Sequence, residues 1–149
     1  MVIQRIQTLM ILLAIACVAT FLVIPFGYWD VDLQKTSVDL IELKASAQPA
    51  LLVPAIVALA VMFISIFCFK KMPLQKGLVA LSAIIVTAMA CVVVYIMTRG
   101  FVEPNPAISV APSFGGGGLL LIGALIALIY AYRRISADQR LLRSYDRLR

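Results

Sequence analysis

Long apolar runs separated by short polar ones set the outline of this chain of 149 residues. Four runs stand out, at about 6–28 ("IQTLMILLAIACVATFLVIPFGY"), 49–69, 77–98 and 114–132. Each has the length of roughly 20 residues that a helix needs to cross the hydrocarbon layer of a bilayer. No run alternates apolar and polar positions as a half-buried strand does. Without water, an uninterrupted apolar segment can satisfy its own backbone only as a helix. The pattern therefore predicts an all-α integral membrane protein, a four-transmembrane-helix bundle forming a single domain over the whole chain. Pro25 and Pro54 fall towards helix ends, where a missing N–H is tolerated.

The intervening segments are the connections 29–48, 70–76 and 99–113 and a tail at 133–149. In the first, "WDVDL" and "VDLIEL" intersperse apolar residues with acids, which predicts a small cap outside the membrane between helices 1 and 2, with a β-hairpin preferred. Tyr28 and Trp29 sit at the expected water boundary, where amphipathic rings are favoured. The second outer connection, with Pro104, Pro106 and Pro112, reads as a loop, and the "GGGG" that follows reads as a flexible or closely packed helix entrance. It lacks the Lys-Ser/Thr that completes a phosphate-binding loop. The first run is too long for a signal peptide and has no A-x-A site behind it; the apolar residues after Cys17 also argue against lipoprotein-type cleavage.

Composition agrees with the pattern. The chain is 63% apolar and 13% charged, against about 45–50% and 25% in a soluble domain, and its mean hydropathy is +1.05. The formal net charge of +6 raises nucleic acid as a partner, but no nucleic-acid-binding fold or aromatic stacking platform accompanies it. The distribution of cations favours a membrane explanation. Arg5, Lys70, Lys71, Lys76, Arg133, Arg134, Arg140, Arg143, Arg147 and Arg149 fall on one side of the predicted spans, whereas Lys35, Lys44 and Arg99 fall on the other with Asp30, Asp32, Asp39, Glu42 and Glu103. By the positive-inside rule both termini are cytoplasmic and the 29–48 cap is extracytoplasmic.

The spans carry no Asp, Glu, Lys, Arg or His, the groups that transport and proton relay usually leave inside the bilayer. Their polar groups are hydroxyls, at Thr20, Ser65, Ser82, Thr87 and Tyr95. Cys17, Cys68 and Cys91 stand singly, each best read as a small buried hydrophobe, and with no His no zinc site is expected. Small residues at four-residue intervals, Gly123, Ala127 and Ala131 in the fourth span and Ala83, Thr87 and Cys91 in the third, predict close helix seams or a dimer face. Neither a nucleophile with its base nor a cofactor motif is visible, so the expectation is a non-enzyme without cofactor. The alternative is a small oligomeric transporter or channel with hydroxyl-lined seams around Thr87 and Tyr95.

The tail "AYRRISADQRLLRSYDRLR" has helical spacing, with Leu141, Tyr145 and Leu148 on one stripe and Arg140, Arg143 and Arg147 beside it. This predicts an amphipathic C-terminal helical extension lying in the cytoplasmic headgroup layer. Asp138 and Asp146 can pair with Arg along that helix. Gln4, Arg5 and Gln7 emerge on the same side, so the two ends are placed to bond to each other.

The opening "VIQRIQTLMILLA" and the closing "RSYDRLR" are similar to the terminal signatures of the DUF4293 family, small integral membrane proteins of Bacteroidetes bacteria. The resemblance runs the length of the chain through Gln4, Arg5, Gln7 and Thr8 and then Arg143, Ser144, Asp146, Arg147 and Arg149. It implies the bacterial inner (cytoplasmic) membrane and brings no catalytic residues with it. Gln4, Arg5, Gln7, Arg140, Arg143, Ser144, Asp146, Arg147 and Arg149 are thus the candidate interaction motif of a scaffold or accessory subunit. Its expected partners are the lipid bilayer, a membrane or cytoplasmic protein, or a second copy of the chain, and not nucleic acid.

Overall fold

Each predicted run forms a helix, although the helix bounds differ from those of the apolar runs. The structure, a computed structural model, describes residues 2–33, 37–68, 71–99 and 109–147, with side chains described over 6–28, 42–68, 71–98 and 113–141. The helices are α1 (Val2–Val23), α2 (Pro49–Phe67), α3 (Met72–Arg99) and α4 (Gly117–Arg147). All four are long and apolar enough to cross a membrane. Pro49 starts α2 at a position where its missing N–H costs nothing, while Pro54 lies inside the helix rather than at its end.

The helices share a core in which α1 packs on α4 and α2, and α3 packs on α2 and α4. The buried positions step by four and three residues: Gln7, Ile11, Ala14, Val18 and Phe21 in α1; Leu51, Ala55, Ala58, Met62 and Ser65 in α2; Val79, Ser82, Val86, Met89, Val93 and Ile96 in α3. That is the spacing of helices packed nearly parallel along their lengths. The content of the stripes is unusual for water. Ala, Ser and Gln recur inside, and large apolar side chains such as Leu12, Val23, Phe63, Ile84 and Ile126 face outward. Only 28% of the window in each of α1, α2 and α3, and 33% of that in α4, is buried. Exposed apolar surface on that scale far exceeds the few hundred Å² tolerated by a soluble monomer, so the chain is a multi-pass membrane protein.

The expectation of an all-α fold needs correction, because a three-stranded antiparallel sheet closes one end. Strands β1 (Gly27–Leu33) and β2 (Ser37–Leu43) form a hairpin, and β3 (Ser109–Phe114) pairs with the other edge of β1, giving the order β2-β1-β3. The register runs from Gly27↔Leu43 to Leu33↔Ser37 on one side and from Gly27↔Phe114 to Asp32↔Ser109 on the other. Pro112 argues against a strand at 99–113, but β3 is an edge strand, where a missing donor is tolerated. The first apolar run also ends as strand, since Tyr28 belongs to β1 and α1 stops at Val23.

The glycine run has a packing role at two of its four members. A Cβ on Gly115 would lie 2.6 Å from the Pro25 carbonyl oxygen, and one on Gly117 would lie 2.9 Å from the carbonyl oxygens of Ile24 and Pro25. Two backbone bonds exploit this approach, Gly115 N–H to Phe26 O at 2.9 Å and Gly117 N–H to Pro25 O at 3.1 Å. Phe26 N–H in turn donates to Leu43 O at 2.9 Å. The end of α1, the sheet and the start of α4 are therefore joined main chain to main chain.

Candidate functional site

At the opposite end the polypeptide presents side chains. Gln7 on α1 and Asp138 on α4 meet here, the Gln7 amide donating to the Asp138 carboxylate. Gln7 is 5% exposed and Gln75, at the start of α3, is 3% exposed. Ser65, near the end of α2, is buried, and its hydroxyl has no hydrogen-bond partner among the described residues. The polar members of the core thus gather towards one end of the helices, with Ser82 two turns further along α3 and bonded to the Val79 carbonyl at 2.9 Å. The sequence predicts that Asp138 pairs with Arg along its own helix; in the structure it turns to α1 instead.

Beside this link, α3 and α4 frame an open groove of about 600 Å³ lined by Lys76, Tyr132, Arg133, Ser136, Gln139 and Arg140, with no acidic residue among the described residues of its wall. Lys76 places its ammonium 4.9 Å from the centre of the Tyr132 ring, where the negative face of the ring holds it. Arg134 points elsewhere on α4. It lies 5.3 Å over the Tyr130 ring and donates to the Tyr130 hydroxyl from Nε at 3.1 Å and Nη2 at 2.8 Å. At 100° per residue Asp138 and Ser136 fall on opposite faces of α4, so the acid turns to α1 and the groove residues to α3.

The candidate motif is therefore only partly placed. Gln7 and Arg140 belong to this end, the first in the link and the second in the groove wall. Gln4, Arg5, Arg143, Ser144, Asp146 and Arg147 lie on helical backbone, but their side chains fall outside the described residues, and Arg149 lies outside them altogether. Sequence reading missed Lys76, Tyr132, Arg133, Ser136 and Gln139. Their signal was available as a cation in the 70–76 connection opposite the first residues past the fourth apolar run, but nothing in the pattern said that α3 and α4 are neighbours. The tail continues α4 without interruption to Arg147, so the helix is 31 residues long and reaches about 46 Å at 1.5 Å per residue. It extends beyond a hydrocarbon layer of about 30 Å rather than ending there.

The proposed seams divide. Ala127 and Ala131 are buried, and Gly123 approaches α1, its Cβ position lying 3.7 Å from the Cys17 sulfur. Of the stripe Ala83, Thr87 and Cys91, Ala83 is partly buried against the core, whereas Thr87 and Cys91 are exposed, as is Tyr95 at 62%. Thr87 donates to the Ala83 carbonyl of its own helix at 2.8 Å. Thr87 and Tyr95 do not line a path between the four helices.

Compared with known proteins, the sequence matches the family model described as a domain of unknown function, DUF4293, over residues 3–148. No curated protein matches it.

Proposed function

This chain belongs to the DUF4293 family, and from that membership and the polar end just described we propose that it is a non-enzymatic scaffold or accessory subunit of a bacterial inner membrane. Both termini face the cytoplasm, in keeping with the ten basic residues on their side of the spans. The motif of Gln4, Arg5, Gln7, Arg140, Arg143, Ser144, Asp146, Arg147 and Arg149 contacts a partner there. One observation supports this reading: the Gln7–Asp138 bond ties the N-terminal signature to the C-terminal helix, so two segments 131 residues apart meet at one end of the helices. A side-chain bond that positions both ends before a partner arrives lowers the ordering cost of binding.

Affinity purification in mild detergent tests it. The wild type is expected to bring down a stoichiometric partner, and Arg143→Ala/Arg147→Ala to lose it while keeping its thermal unfolding midpoint. A chain that purifies alone, or a partner indifferent to both arginines, overturns the proposal.

A further inference from the structure

We infer that the groove between α3 and α4 is a binding site for the phosphate of one anionic phospholipid, with an acyl chain lying along the adjoining helix faces. Three cations, Lys76, Arg133 and Arg140, converge on it with the Gln139 amide, while the Ser136 hydroxyl in the wall donates to the Tyr132 carbonyl of its own helix at 2.9 Å, and among the described residues the wall holds no carboxylate to neutralise the cations. The nearby acid, Asp138, is turned to the other side of α4 and engaged by Gln7. A guanidinium offers paired N–H donors that match phosphate oxygens, and the Lys76 ammonium, steadied over Tyr132, adds a point charge. The depth is right for a headgroup, because Tyr132 and Arg133 stand where the apolar part of α4 gives way to its basic part.

What distinguishes a lipid from a free phosphate lies below the cations. Counting at 100° per residue, Ile129, Leu125 and Ile122 fall within about 40° of Ser136 round α4, and Ala80, Ala83 and Thr87 fall within about 40° of Lys76 round α3. Ile129 and Ile122 are each 53% exposed, and the facing residues of α3 are small. Small side chains on one helix beside exposed branched apolar ones on the other would give an acyl chain an apolar path leading away from the charged groove. Thr87, exposed on that face of α3, thus gains a role that helix packing within the chain does not give it. The inference requires the chain to sit in a bilayer with this end at a headgroup layer, but it does not depend on a protein partner.

Native mass spectrometry of the full chain in an uncharged detergent, titrated with phosphatidylglycerol, phosphatidylcholine of the same chains, or glycerol 3-phosphate, reads the site directly. One phosphatidylglycerol is expected to bind at least about ten-fold more tightly than either of the others. With each cation at the surface contributing roughly a five-fold gain, K76Q/R133Q/R140Q is expected to lose on the order of a hundred-fold and R140Q alone about five-fold. K71Q/R134Q removes two cations from the same end outside the groove and is expected to retain the tight adduct. The unfolding midpoint of each variant without lipid identifies any that fail to fold, and R140Q, on an exposed turn, keeps the comparison interpretable. Equal binding of phosphatidylcholine, equal binding of glycerol 3-phosphate, or a loss in K71Q/R134Q as large as in K76Q/R133Q/R140Q would each overturn the site.

Discussion

At the sheet end of the molecule main chain meets main chain, whereas at the end carrying the termini side chain meets side chain. The first is built from the β2-β1-β3 ladder and the approach of Gly115 and Gly117 to the last carbonyls of α1. The second is built from Gln7 with Asp138, Lys76 with Tyr132, and a groove lined by the cations Lys76, Arg133 and Arg140. Backbone bonds fix geometry and leave little variable chemistry on offer. Side chains with spare donors do the reverse, since Arg133 and Arg140 hold binding capacity that the fold does not consume. The contrast separates an end joined by backbone from an end that keeps side-chain donors to spare.

The most disruptive way to probe the contrast is at the glycines. Gly115→Ala and Gly117→Ala each drive a methyl group into a carbonyl oxygen that cannot move without shifting α1, and each is expected to cost about 2–3 kcal/mol. A methyl group on Gly116 or Gly118 would meet nothing within 4 Å, so Gly116→Ala and Gly118→Ala are expected to be neutral or slightly stabilising. Unfolding in mixed detergent micelles measures all four; equal losses would mean that the run is not a packing device. Next in size is the polar link. Gln7→Ala or Asp138→Ala is expected to cost about 1.5–3 kcal/mol, the range for a hydrogen bond to a charged group. The double variant should lose little more than the worse single one, and strict additivity in that cycle would dissolve the link.

Ser65 reverses the sign. Its buried hydroxyl lacks a partner among the described residues, so Ser65→Ala is expected to stabilise the protein by about 1 kcal/mol in the same assay. A loss instead would show that the hydroxyl is satisfied in the membrane, by water or by another chain. The smallest effect belongs to the sheet end. Lys44 lies 2.7 Å from Glu42, and the hydrogen bond from its ammonium to that carboxylate, with the attraction between the charges, raises its pKa above the ordinary 10.5. A group raised on folding stabilises below its unfolded pKa and loses that contribution as pH climbs through the folded value. Between about pH 9 and 12 the wild type should therefore lose slightly more stability than Glu42→Gln, as thermal midpoints would show.

Much of the architecture was legible because the bilayer acts as a solvent with a fixed thickness. Runs of about twenty apolar residues had one backbone solution each, and "WDVDL" and "VDLIEL" carried enough alternation to suggest the hairpin that forms β1 and β2. The third strand was hidden because its partner lies some 80 residues earlier in the chain and because Pro112 argues against a strand until one knows it sits at an edge. The candidate site was half legible. The terminal motifs pointed to the end that carries Gln7 and Arg140, while the groove needed Lys76 and Arg133 to be brought together by the packing of α3 on α4.

The sequence by itself determined that this chain crosses a membrane with four helices, since composition and run length follow from the cost of unpaired backbone in hydrocarbon. Only the tertiary structure decided which face of each helix looks inward. In lipid both faces of a span are apolar, so hydrophobic period loses its meaning and close packing of small residues sets the choice. That is why Ala127 and Ala131 lie in the core while Thr87 and Cys91, equally plausible on paper, face out. The same choice of faces turned Asp138 towards Gln7 and left no acid among the described residues of the groove wall.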